Sequence, residues 1–300
     1  MRAYSFETYD VFTDKRFSGN QLAVVFGADD LTTDEMQIIT REFNLSETTF
    51  LLAPEDPENT ARVRIFTLGY EMPFAGHPTV GASVALARRA NTQGAMALEL
   101  NAGLFPVVTK EKKGIGFAEF QNPTLPFEVG PAPSAEIFEA ALSLPSGSID
   151  KTHHQPRCMS AGVSFLYAKA PLEAVRSAKL NTAKWADLGI DNTVGVYLYA
   201  EGGETPGATY HARMFAPDAG ILEDPATGSA AAALPGQIAA SHIAAGQPLN
   251  DGEHLWIIEQ GFEMGRPSLI HAMVQSSKGE IESVRIGGNA VHVQSGEIFI

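Results

Sequence analysis

Glu47, His77, Asp224 and Ser229 are the side chains whose types and settings could do acid/base chemistry in this chain. Glu47 opens the run Glu47-Thr48-Thr49-Phe50-Leu51-Leu52, just after a helical pattern that ends at Phe43-Asn44. A carboxylate in so apolar a neighbourhood loses solvation, which raises its proton affinity toward the range useful to a general acid/base. A strand-edge glutamate that caps or ion-pairs is the other reading, and the residues alone leave both open. His77, in Gly76-His77-Pro78-Thr79, could donate to an anion, share in proton transfer, or cap a turn. Asp224 stands before Pro225, ahead of Thr227-Gly228-Ser229, where an N-terminal cap also belongs. Gly76 and Gly228 would let the main chain approach a ligand closely.

Two segments must position these groups. Arg64–Thr67 reads as a strand, followed by a turn and a helix of small residues in whose first turn Pro78 fits. Arg213–Phe215 and the small-residue helix after Thr227 repeat the pattern. Arg64 and Arg213 lie 149 residues apart, and Thr79 and Thr227 lie 148 apart, half the chain length. This spacing suggests an internal duplication, with both helix N-termini brought to one cleft. Unpaired N–H groups and the helix dipole make each start suitable for a carboxylate. Arg64 and Arg213 are the alternative anion holders.

The stretches E-M-P-F-A-G-H-P-T-V-G-A (71–82) and E-D-P-A-T-G-S-A (223–230) resemble the two signature motifs of the PhzF family of phenazine-biosynthesis-like isomerases. S-G-N-Q-L-A-V-V (18–25), L-S-E-T-T-F (45–50) and Q-G-F-E-M-G-R-P-S (260–268) are similar to further family motifs. The resemblance implies an α+β, diaminopimelate-epimerase-like fold of two pseudo-symmetric lobes, each an antiparallel or mixed sheet wrapped around a central helix. It further implies that Glu47 transfers the proton, that Asp224 and Ser229 line the substrate pocket, and that the protein is a homodimer. Asn20 and Thr227, inside matched motifs, join Gly76 and Gly228 as expected substrate-binding residues. No cofactor and no metal are expected. The related epimerases use two facing cysteines, but neither motif here holds one. The sequence also departs from the family at Gln21, Leu68 and Leu234-Pro235-Gly236-Gln237. The activity so implied is a proton shift on a small carboxylate-bearing substrate; the rival is a non-catalytic role, binding a metabolite or a partner protein.

Composition narrows the rest. With 35 acidic against 21 basic residues, the net charge is −14 and no basic run offsets it. Nucleic acid and anionic membrane are poor partners for such a chain. The single cysteine, Cys158, allows no internal disulfide. With no apolar leader at the N-terminus, a cytoplasmic protein is expected. The apolar stretch Ala226–Ala245 reads as broken at Pro235-Gly236, too interrupted to span a membrane. His153-His154 with Cys158 lacks zinc-ligand spacing. His211, His242, His254, His271 and His292 show no pairing that suggests a site.

Residues 122–134, with four prolines, read as the linker between lobes formed by 1–121 with 288–300 and by 122–287. Thr32 or Thr33 should cap a helix whose stripe is Met36, Ile39 and Phe43, ended by Asn44. Strands are expected at 47–52, 61–67, 96–100, 104–109 and 115–120, then at 162–169, 193–200 and 209–215. The chain should close with strands at 254–260, 268–275, 281–286 and 290–300.

Overall fold

The structure is a computed structural model describing residues 1–189 and 193–300. The chain forms two compact units, Met1–Gln121 with Gly287–Ile300, and Asn122–Ile286.

In the first unit, α1 (Thr33–Phe43) forms as its residues dictate. Thr32 and Glu35 make a reciprocal capping box, Met36 and Ile39 are buried, and Asn44 ends the helix in the left-handed conformation. Phe43 packs edge-to-face on Phe6, with ring centres 4.9 Å apart. The sheet of this unit starts with β1 (Ala3–Val11) and β2 (Asn20–Phe26). It continues through β3 (Glu47–Leu52), β4 (Ala61–Thr67) and the two-residue β5 (Glu71–Met72). After α2 (Gly76–Ala90) come β6 (Gly94–Leu100), β7 (Gly103–Lys112) and β8 (Ile115–Gln121). The final strand, β17 (Glu280–Phe299), returns to pair with β1.

The pairings run β1–β2 antiparallel, β2–β3 parallel, β3–β4 antiparallel, β4–β6 parallel, then β6–β7 and β7–β8 antiparallel. Since β8 pairs with β17 and β17 with β1, the ring closes. Inside it lies α2, whose residues Gly76 to Ala85 are all buried. Small side chains are required there. A Cβ on Gly81 would come within 2.4 Å of Leu22 and 2.8 Å of Val11. Buried Val80 and Val84 each contribute about 1.5–3 kcal/mol of apolar burial.

The second unit contains β9 (Phe127–Gly130), α3 (Ala135–Ala141), β10 (Arg157–Ser160), β11 (Ser164–Lys169), α4 (Leu172–Ser177) and α5 (Thr182–Trp185). Then follow β12 (Val196–Glu201), β13 (Tyr210–Ala216), β14 (Ile221–Asp224), α6 (Gly228–Ala244), β15 (Gly252–Gln260) and β16 (Ser268–Ser277). Its pairings repeat those of the first unit in order: β11–β12 parallel, β12–β13 antiparallel, β13–β14 antiparallel, β13–β15 parallel, β15–β16 antiparallel.

Three readings of the sequence need correction. The proline-rich 122–134 is not a bare linker, because β9 forms between Pro126 and Pro131 and pairs with β10. Helix α6 is not broken at Pro235 but runs on for 17 residues. A mid-helix proline costs about 3 kcal/mol, and burial of Ala230 through Gly236 among packed neighbours holds the helix through it. The strands expected at 281–286 and 290–300 are one strand of 20 residues that passes through Gly287-Gly288.

The duplication extends to side chains. Arg64 on β4 grips Glu71 on β5 through Nε and a terminal nitrogen, at 2.7 and 2.6 Å. Arg213 on β13 grips Glu223 on β14 the same way, at 2.8 Å for both bonds. Each guanidinium also lies over the next-but-one phenylalanine, Phe66 or Phe215, at 5.2 and 4.9 Å. Glu99 at the end of β6 accepts the backbone N–H groups of Glu55 and Asp56, pinning the β3–β4 loop. Glu259 on β15 does the same for Glu204 and Thr205 in the β12–β13 loop.

His211 is therefore not an isolated histidine. It is wholly buried between Glu259 and Glu263, 2.9 Å from each. Burial opposes the charged imidazolium, but the two glutamates outweigh it and raise the His211 pKa to about 9. A raised folded-state pKa gives stability that is fully present below the ordinary value near 6.5 and lost as pH rises through about 9. Thermal unfolding of wild type and His211→Gln should thus differ most below pH 6.5, with the gap closing above about pH 9. A pH-independent gap would contradict this ion-pair account.

Candidate active site

The short turn after Asn44 delivers Ser46 and Glu47 to the start of β3, where Glu47 stands between Leu22 on β2 and Thr67 on β4. His77 is the second residue of α2, and Asn20 is the first of β2. These elements bring the sequence-predicted Glu47, His77 and Asn20 into one buried group. Ser46 Oγ donates to Asn20 Oδ1 at 3.2 Å, which orients the Asn20 amide. Its Nδ2 then faces His77 Nδ1 at 3.3 Å and donates to it. The other ring nitrogen, Nε2, lies 3.4 Å from Glu47 Oε2.

Burial holds the His77 imidazole neutral, lowering its pKa to about 3 against a weaker opposing contact from the Gln21 backbone. With the ring neutral, the Glu47–His77 contact is not an ion pair. At 3.4 Å it is longer than a charge-assisted hydrogen bond of about 2.7–2.9 Å. The Glu47 side chain is 12% exposed.

Asp224, Thr227, Gly228 and Ser229 come together at the start of α6. Thr227 is the N-cap residue, and its hydroxyl donates to Asp224 Oδ2. Its own backbone N–H is taken by Gln260 Oε1 at 3.1 Å, so that amide is not one of those offered to an anion. Ser229 is half-buried where its neighbours Gly228 and Ala230 are buried. The alternative anion holders, Arg64 and Arg213, are engaged by Glu71 and Glu223.

The structure also corrects the alignment of the two halves. Thr79 and Thr227 are not equivalent, because α2 begins at Gly76 and α6 at Gly228, 152 residues on. His77 thus corresponds to Ser229, and Met72 to Asp224. The residue corresponding to Glu47 is Gly195, which precedes the Val196–Phe215 pair as Glu47 precedes the Thr48–Phe66 pair. A Cβ on Gly195 would sit 2.1 Å from the Phe215 carbonyl oxygen, so no acid fits there. Sequence reading missed Gln260 and Ser46, although both lie in quoted motifs, because a motif match does not say what a side chain touches.

His154 and Cys158 sit in structural settings. His154 is buried with Nδ1 on the Tyr199 hydroxyl at 3.1 Å. Cys158 is buried on β10, and burial pushes its thiol pKa up, away from reactivity. Cys158→Ser should leave turnover unchanged; loss of activity on alkylating wild type, absent in the variant, would show otherwise.

A family model described as phenazine biosynthesis-like protein, PhzC-PhzF, matches residues 9–296. An uncharacterized isomerase of Mesorhizobium japonicum is 42% identical, with 100% of both chains covered. The trans-2,3-dihydro-3-hydroxyanthranilate isomerase of Pseudomonas aeruginosa is 31% identical over 97% of this chain and 98% of its own. The crystal structure of a Bacillus anthracis protein of the PhzF family superposes with a TM-score of 0.87 at 26% identity, covering 100% of both chains. The chain belongs to the PhzC-PhzF family of phenazine-biosynthesis-like proteins. Like the Mesorhizobium japonicum and Pseudomonas aeruginosa relatives, it is an isomerase. Among the described residues, no helix is long and apolar enough to cross a membrane.

Proposed function

We propose that this isomerase works without a cofactor, moving a proton along a small carboxylate-bearing substrate with Glu47 as the general acid/base. The observation that carries the reading is the buried Glu47 carboxylate beside a neutral His77 ring, with Nε2 3.4 Å from Oε2. Glu47 takes a proton from an activated carbon, the C–H electron pair moves into the adjoining unsaturated system, and the protonated Glu47 returns the proton at a carbon further along. His77 stands beside that carboxylate and acts on the substrate's polar groups from a ring that stays neutral throughout. Asp224 fixes the proton state of a polar substrate group. Gly76, Gly228 and Ser229 bind substrate, their helix-start amides suiting a carboxylate, and Asn20 and Thr227 support His77 and Asp224.

The absence of an acid at Gly195 and of a histidine at Ser229 supports one acid/base, used twice, over two facing ones. Positioned acid/base catalysis gives about 10²–10⁴-fold, the remainder coming from orientation and fixed dipoles. The compound that names the Pseudomonas aeruginosa relative, trans-2,3-dihydro-3-hydroxyanthranilate, is the first to try. A panel of unsaturated acids and their methyl esters, followed by NMR, tests the substrate class. Acids should isomerise and their esters should not. Equal turnover of acid and ester would overturn the carboxylate requirement.

A further inference from the structure

We propose that Gln260 is a positioning residue for this reaction, one that sets the direction of the Thr227 hydroxyl hydrogen and, through it, the orientation of the Asp224 carboxylate. The proposal rests on the reading above that Asp224 acts on substrate.

Gln260 ends β15 and is wholly buried. An amide offers two hydrogens and two acceptor positions, and here all four are used. Nε2 donates to the Asp224 carbonyl oxygen at 2.7 Å and to Thr227 Oγ1 at 2.9 Å. Oε1 accepts the Thr227 N–H at 3.1 Å and the Tyr197 hydroxyl at 3.2 Å. The partners leave no choice of amide orientation, because a carbonyl only accepts and an N–H only donates. With Thr227 Oγ1 accepting from Gln260, its one hydrogen is directed to Asp224 Oδ2. Tyr197 is locked in its donor form, its pKa raised by burial and by the nearby Asp224 charge. One Asp224 oxygen is thus held by a fixed donor.

The first unit supplies a control. It builds the same strand–turn–helix with Met72 for Asp224, Ala75 for the N-cap Thr227, and Leu100, the last residue of β6, for Gln260. The topology therefore forms without any of the three polar groups. Burying an amide, a hydroxyl and a carboxylate carries a desolvation cost that leucine, alanine and methionine avoid. All three are present in one unit and all three are missing from the other, as expected if they serve Asp224 and not the fold.

The test uses the full-length protein and the acid isomerised by wild type, starting with trans-2,3-dihydro-3-hydroxyanthranilate. Asp224→Asn comes first. If it leaves turnover intact, the role of Asp224 fails, and with it the reading on which the proposal rests. If it impairs turnover, Gln260→Met should lower kcat/KM by roughly 10–100-fold, the usual range for partners that orient a working group. In the Asp224→Asn background the same change should cost less than about 3-fold, because residues acting as one unit are not additive. Full additivity, or no effect of Gln260→Met on wild type, would overturn the positioning role while leaving that of Asp224 standing. Gln260→Glu gives a second readout if the methionine variant does not fold. Ionised, the new carboxyl cannot donate to Thr227; protonated, it regains one O–H donor. Its kcat/KM should rise relative to wild type as pH falls, and a profile parallel to wild type would contradict the proposal.

Discussion

Glu47→Gln is expected to lower kcat/KM by about 10²–10⁴-fold, the span attributed to a positioned acid/base, while leaving the fold intact. The amide keeps the size and the acceptor oxygen of the carboxylate but cannot take up a proton. Because the His77 ring is neutral, exchanging the carboxylate for an amide leaves no unpaired charge beside its Nε2, which lies 3.4 Å from Glu47 Oε2. Binding of the substrate acid should therefore persist, and the loss should fall on kcat. His77 cannot take over as the base: Nδ1 is occupied by Asn20, and its pKa of about 3 makes it a poor proton acceptor at neutral pH. A variant that kept most of the wild-type rate would remove Glu47 from the mechanism.

Arg213→Met should destabilise the protein by about 3–5 kcal/mol, as expected when one partner of a buried ion pair is removed. Glu223 would be left without its bidentate partner, and the carbonyl oxygens of Val175, Arg176 and Ala178 would lose the donor they share. Arg64→Met should cost less, since Arg64 is more exposed and its further partner is the Thr33 hydroxyl. Denaturant unfolding of both variants measures the difference. The same pair checks the assignment of the arginines to structure: Arg64→Lys should leave the affinity for acids unchanged. Weakened acid binding with unaltered stability would return the arginines to the site.

How much of this was legible beforehand depended on how local the signal is. β3 and β4 could be bounded to the residue because the Pro/Asp-rich loop at 54–59 separates them, and α1 carries its cap, stripe and stop in sequence. β5, β10 and β14 escaped notice because strands of two to four residues have no periodicity to read. β9 was hidden by its flanking prolines, and α6 and β17 continue through Pro235 and Gly287-Gly288, where packing outweighs local propensity. The half-length repeat was visible at Arg64 and Arg213, but the helix starts were misaligned because the shared threonines, Thr79 and Thr227, stood out more than the shared glycines. Glu47 and His77 were singled out by motif. That His77 is neutral follows from burial, which no motif records. The links from Gln260 to Asp224 and from Glu99 to the β3–β4 loop join residues far apart in the chain, and only the pairing of strands brings them together.

Isomerisation of the candidate acid in deuterated buffer, followed by NMR, tests the central claim most directly. The account predicts that wild type converts the acid to an isomer in which one hydrogen has changed carbon, with no added metal, nucleotide or redox partner, and that Glu47→Gln forms none. Acid that is bound yet recovered with every C–H bond and double bond in place would contradict it.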